Sequence, residues 1–210
     1  MTTYSSCITD LDSKLVLDSS VVINLLATGH SSEILRALAI PIIVTENVVD
    51  EIERGTTTGR GQYELLKAAI NDHIIQVQKL DELALEDFFA LVSGRTSDTL
   101  GDGEAATLAL AHHDGFSAAI DEKKATRIAV ERFNSLRLVT TVDILAHQSV
   151  HACLGDVFVA ESTFQALRVA RMQVREHQFD WVAKLIGLER VNDCPSLKRH
   201  IRRNSTAVGG

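Results

Sequence analysis

The sequence predicts an α/β fold in which a parallel sheet carries helices on both faces. Three observations lead there. Short apolar runs of strand length recur along the chain, segments of helical apolar periodicity separate them, and cap-forming residues follow most of the runs. Strands joined by helical crossovers pair in parallel. Ligands then collect where the C-terminal ends of the strands open.

Lys14-Leu15-Val16-Leu17 is the first strand, and the cluster Asp18-Ser19-Ser20 opens a helix through Leu26. A second helix is expected over 32–39. Pro41-Ile42-Ile43-Val44 reads as the next strand, with Thr45 capping a helix to Arg54 on which Val48, Val49 and Ile52 share a face. A Gly/Thr-rich loop at 55–61 precedes a helix over 62–71, a strand or connector at 74–77, and an amphipathic helix over 82–92. Gly101-Asp102-Gly103-Glu104 opens an Ala/Leu-rich helix to His113, Phe116 to Ile120 is a strand, and Asp121 is expected to start a helix to about Phe133. Leu136-Arg137-Leu138-Val139 is the last clear strand. Beyond it the pattern turns helical over 142–153, 162–176 and 179–186. These boundaries suggest a domain over 1–155, a helical C-terminal extension over 156–203 and a disordered tail over 204–210.

The chain has 210 residues, 45% of them hydrophobic, enough for one substantial core without disulfide staples. Cys7, Cys153 and Cys194 are odd in number and lack zinc-site spacing, which suits a reducing cytoplasm. Asp18 and Asn24 interrupt the most apolar stretch, so no membrane span is expected, and the first residues lack the pattern of a secretory signal. A net charge of −7 argues against a simple electrostatic binder of nucleic acid. That charge is unevenly placed. From Glu161 onward basic residues outnumber acidic ones, leaving the preceding three quarters strongly acidic.

Asp18 and Asp121 each follow a predicted strand, which places their carboxylates at one edge of the sheet. Glu104 lies in a first helical turn and Glu51 on the helix after the second strand. Taken singly, Asp18, Asp102, Glu104 and Asp121 suit helix caps and first turns, while Glu51 suits a solvated helix face beside Arg54. Asp50 competes with Glu51, but the face carrying Val48 and Ile52 favours Glu51. Taken together, the carboxylates would repel one another unless divalent cations neutralised them. All-oxygen coordination points to Mg²⁺ or Mn²⁺, ions that activate water in phosphodiester hydrolysis.

Four segments carry a resemblance: Leu15-Val16-Leu17-Asp18-Ser19-Ser20, Val48-Val49-Asp50-Glu51-Ile52, Leu100-Gly101-Asp102-Gly103-Glu104-Ala105-Ala106 and Ala119-Ile120-Asp121-Glu122-Lys123-Lys124-Ala125. In this order they resemble the PIN-domain ribonucleases, best known as toxins of VapC-type toxin–antitoxin pairs. The likeness is strongest to the branch with a Gly-Glu-Ala helix start and an acidic pair after the following strand. It implies a three-layer α/β/α sandwich and an endoribonuclease acting on single-stranded RNA with one or two Mg²⁺ or Mn²⁺ ions, leaving 5′-phosphate and 3′-hydroxyl ends. The implied ligands are Asp18, Glu51, Glu104 and Asp121, with Ser20 supporting Asp18. An antitoxin or other protein partner and a homodimer belong to the same picture.

The fourth segment departs from the branch's Asp-Asp-x-x-Ala-Arg. Its arginine is displaced to Arg127, Glu122 competes with Asp121 for the fourth place, and Asp102 is a candidate extra ligand. Arg168, Arg171 and Arg175 at i, i+3 and i+7 are expected to share a helix face and are candidates for RNA or partner contact, as are Lys198 and Arg199 in the basic tail. His112 and His113 suit a helix C-terminus, and His147 with His151 are assigned packing or surface roles. Phe179 and Trp181 precede an apolar stripe read as core or a partner groove. A non-catalytic PIN-like subunit is the competing function. A phosphatase is disfavoured because no Asp-x-Asp follows the first strand.

Overall fold

The computed structural model describes residues 4–55, 60–93, 95 and 98–198. Five parallel strands, β1 (Leu15–Leu17), β2 (Ile42–Thr45), β3 (Ile75–Gln78), β4 (Ser117–Ala119) and β5 (Leu138–Val139), lie in the order β3-β2-β1-β4-β5. The chain winds outward from β1 in one direction and then returns to β1's other side for β4. A crevice therefore opens between the ends of β1 and β4, the switch point of such sheets.

The period-two alternation of strand side chains divides two cores. Leu15, Leu17, Ile42 and Val44 face one, while Val16, Ile43, Ala118 and Ile120 face the other. The first core is covered by α1 (Ser19–Ala27), α2 (Ser31–Leu38), α3 (Glu46–Arg54) and α4 (Arg60–Asn71). The second is covered by α5 (Glu82–Val92), α6 (Asp102–Asp114) and α7 (Lys123–Arg132). This is the expected three-layer α/β/α sandwich.

The C-terminal third completes the first layer with α8 (Thr141–Leu145), α9 (Gln148–Leu154), α10 (Asp156–Gln165) and α11 (Phe179–Ile186). Val159, Leu167, Met172, Val182, Val191 and Leu197 are buried in the same core as Leu15 and Leu17. Residues after 155 thus share the core of those before it.

Three expectations need correction. The helix over 142–153 is two helices, because His147 adopts an extended backbone and accepts the Ser149 N–H at 3.3 Å as a new N-cap. The helix over 162–176 starts earlier, at Asp156, and ends earlier. Ala166–Ala170 widen into a π-helical turn, Arg171 closes it in the left-handed region at φ 56°, and the chain then extends. Met172 and Val174 alternate into the core along that extended piece, burial that a continuing helix could not give both. Finally, α7 starts at Lys123 with Glu122 as N-cap, so Asp121 stands outside it. The tail over 204–210 and most of the Gly/Thr-rich loop fall outside the described residues.

Candidate active site

Asp18 stands immediately beyond β1 and is 2% exposed. Its Oδ2 accepts the Ser20 N–H at 3.2 Å and the Ser20 hydroxyl at 2.7 Å. Its Oδ1 is buried with no hydrogen-bond partner. Burial of the charged form, opposed by the Ser20 bonds and the Ser19 backbone N–H and reinforced by the negative charge of Glu51, raises its pKa to about 6.

Glu51 reaches the same edge from α3, whose start is fixed by Thr45 capping the Val48 N–H at 3.3 Å. The Ser19 hydroxyl donates to Glu51 Oε2 at 2.8 Å. Gly103 makes this approach feasible: a β-carbon there would collide with Glu51 Oε2 and lie 2.7 Å from Ser19 Oγ.

Glu104, in the first turn of α6, accepts the Gly101 N–H at 3.2 Å. Burial, a hydrogen bond to the Glu122 side chain, and the charges of Asp18 and Glu122 raise its pKa to about 8. Glu104 and Glu122 thus lie side by side as a carboxyl pair.

Asp121 is engaged differently. Its Oδ1 accepts the Thr141 N–H at 2.9 Å, and its Oδ2 accepts the Thr141 hydroxyl at 2.6 Å and the Asn24 side-chain amide at 2.7 Å. Burial raises its pKa, while these bonds and the positive charge of Arg175 pull the other way. Both oxygens are thereby committed to α1 and α8.

Asp102 is exposed at the start of α6. The three arginines do not share a helix face. Arg168 lies over the Phe164 ring at 5.8 Å, Arg171 lines a cleft, and Arg175 Nη2 donates to Thr126 Oγ1 at 2.9 Å and Ile120 O at 3.3 Å. Lys198 is exposed, and Arg199 lies outside the described residues.

Sequence reading missed Ser19, Gly103, Asn24, Thr141 and the inward role of Arg175. Asn24 is the one readable signal, a polar residue amid the apolar run Val21–Leu26. Thr140-Thr141 follows a strand as Asp18-Ser19 does, but threonine there is ordinary capping chemistry.

Among the described residues, the one group of three metal-competent side chains whose donor atoms all lie within 4.8 Å of one another is Asp81, His113 and Asp114. It sits at the other end of α6 from Glu104. His113 Nε2 pairs with Asp81 Oδ2 at 3.1 Å, Asp81 Oδ1 caps the Ala84 N–H at 2.9 Å, and Asp114 accepts from Gln78 at 2.8 Å. Its members are already engaged by these contacts. The carboxylates at the strand edge are spread wider, as like charges are, yet they contain the orphaned oxygen of Asp18 and the raised pKa values. The physical case for a cation therefore lies at the strand edge.

A protein-family model for the PIN domain matches residues 14–187. No curated protein and no solved structure matches the chain. No described helix is long and apolar enough to cross a membrane. A five-stranded parallel sheet in a three-layer α/β/α sandwich, and a family match running from β1 through α11, have one common account: the chain belongs to the PIN-domain family.

Proposed function

We propose that the protein is a divalent-metal-dependent endoribonuclease that hydrolyses single-stranded RNA in the cytoplasm, in the manner of a toxin. The observation that carries this reading is Asp18 Oδ1, a buried carboxylate oxygen without a partner beside Glu51 and the Glu104–Glu122 pair. Leaving such an atom unpaired costs roughly 1–3 kcal/mol, which a bound cation would offset.

Asp18, Glu51, Glu104 and Glu122 are the residues that would hold Mg²⁺ or Mn²⁺. Oxygen donors alone suit these ions. When bound, such an ion polarises the phosphate and lowers the pKa of water to make the attacking hydroxide. Ser20 fixes the rotamer of Asp18 through Oδ2 and leaves Oδ1 toward the cluster. Ser19 holds Glu51 above Gly103. Glu104 and Glu122, side by side, would offer the ion further carboxyl oxygens. Asp121 serves by orientation, clamping the loop that carries Glu122 to Thr141 and Asn24. Hydrolysis on this plan leaves 5′-phosphate and 3′-hydroxyl ends.

The test is incubation of purified protein with labelled single-stranded RNA, structured RNA and DNA in Mn²⁺, Mg²⁺ or EDTA, beside Asp18→Asn. Metal-dependent cutting of single-stranded RNA that vanishes in the variant supports the reading. Cutting that persists in the variant, or the absence of both cutting and a Mn²⁺-induced gain in Tm, overturns it in favour of a non-catalytic binding subunit. For the toxin role, induction of the wild type arrests growth and Asp18→Asn does not; unimpeded growth with soluble wild-type protein refutes it.

A further inference from the structure

The sheet edge opens into a cleft of about 640 Å³, within the range of nucleotide-sized sites. Ser20, Asp121 and Glu122 form its acidic end. Lys123, Arg171 and Gln173 line it as well, over the partly apolar surface of Ile23 and Ala170. The acidic centre thus grades directly into cations.

The segment that supplies Arg171 is built for the purpose. Met172 and Val174 are 1% and 4% exposed and pin alternate positions into the core, so Arg171 and Gln173 face outward. Arg175 ties the end of the segment to Ile120 O and Thr126 Oγ1, beside the loop that bears Glu122. Arg171 itself has φ 56°, a left-handed conformation that disfavours side chains by about 1–2 kcal/mol. Glycine or asparagine would sit there with less strain. Among the described residues, the side chains of Arg171 and Lys123 form no ion pair, although the protein carries an excess of carboxylates. Arg171 is thus an outward-facing cation at the mouth of the cleft that no internal ion pair among the described residues holds.

We propose that this cleft seats the nucleotide flanking the scissile phosphate of single-stranded RNA, with Arg171 and Lys123 holding its phosphate and Ile23 and Ala170 packing against the nucleoside. A polyanion approaching a cluster of carboxylates needs local cations. This cleft supplies them within a chain of net charge −7. The inference rests on the nuclease reading of the adjoining acids.

Binding of a fluorescent single-stranded RNA decamer is measured across a salt series with Mg²⁺, in an Asp18→Asn background that does not cut. Arg171→Gly keeps the left-handed backbone and removes the cation, Arg171→Lys restores charge, and Arg168→Gln removes a cation that lies over Phe164 instead. Arg171→Gly is expected to weaken binding about 5–10-fold at low salt and to reduce the slope of log K against log[salt] by about 0.7, the value for one phosphate contact on a single strand. Arg171→Lys should recover most of the affinity and Arg168→Gln should leave it unchanged. In the cutting protein, Arg171→Gly should raise KM with kcat retained. Equal affinity and slope in Arg171→Gly, an equal loss in Arg168→Gln, or no binding at the lowest salt overturns the cleft assignment. Asp18-dependent cutting with an indifferent Arg171 would sink the cleft alone. Arg171-dependent binding without any metal-dependent cutting would sink the nuclease reading alone.

Discussion

Asp121 and Glu122 are adjacent carboxylates with different fates, and the difference makes a test. Asp121→Asn keeps an acceptor for the Thr141 N–H but turns an amide toward Asn24, setting donor against donor. We expect a loss of about 1–3 kcal/mol, seen as a lower Tm without metal. Glu122→Gln removes charge from the pair with Glu104, so its metal-free Tm should hold or rise while its Mn²⁺-induced gain disappears. A Mn²⁺ response intact in Glu122→Gln and lost in a stable Asp121→Asn would reverse the assignment. Gly103→Ala should cut the metal response with little change in metal-free Tm, because its methyl group displaces the flexible Glu51 carboxylate. Strand grammar put Asp18 and Asp121 at one sheet edge, while Glu51 and Glu104 joined them only through the family resemblance. The sequence left Asp121 and Glu122 open because a shift of one residue at a strand end sends a side chain to the opposite side, and the partners that decide it, Thr141 and Asn24, are distant in sequence.

At the scale of elements, the strands and the amphipathic helices α3, α5 and α11 were legible because local periodicity and caps agree with the tertiary packing there. The C-terminal third was harder. Ser162 to Glu176 has good helix formers, yet the burial of Met172 and Val174 outweighs propensity and unwinds the chain after a π turn. Leu167, fully buried in that turn, packs in the core shared with β1. Leu167→Ala should therefore destabilise the whole chain by about 2–5 kcal/mol, with one cooperative melting transition lowered in Tm. Two transitions, one unmoved, would show that the segment after 155 folds apart from the sheet.

At the scale of the whole molecule, the acidic centre makes stability depend on pH. Asp18 and Glu104 have folded pKa values of about 6 and about 8, above the value near 4 of exposed carboxylates. Between pH 4 and 8 the folded chain binds more protons than the unfolded one, so stability falls as pH rises through that window. Metal-free protein should lose several degrees of Tm between pH 5 and pH 8, and Glu104→Gln should flatten the profile. With Mn²⁺ the trend should reverse, since the ion binds the deprotonated cluster. A metal-free Tm that rises across this window would contradict the assigned charges.

The packing of residues 166–175 against the loop at 120–126 also orders events during synthesis. Asp18, Glu51, Glu104 and Glu122 all leave the ribosome before Arg171 and Arg175, and the core that supports them is closed only by Val182, Val191 and Leu197. A nascent chain therefore carries its acids without the brace and cations beside them. The acidic edge is therefore braced only late in translation, after residues 166–175 have packed against the loop at 120–126.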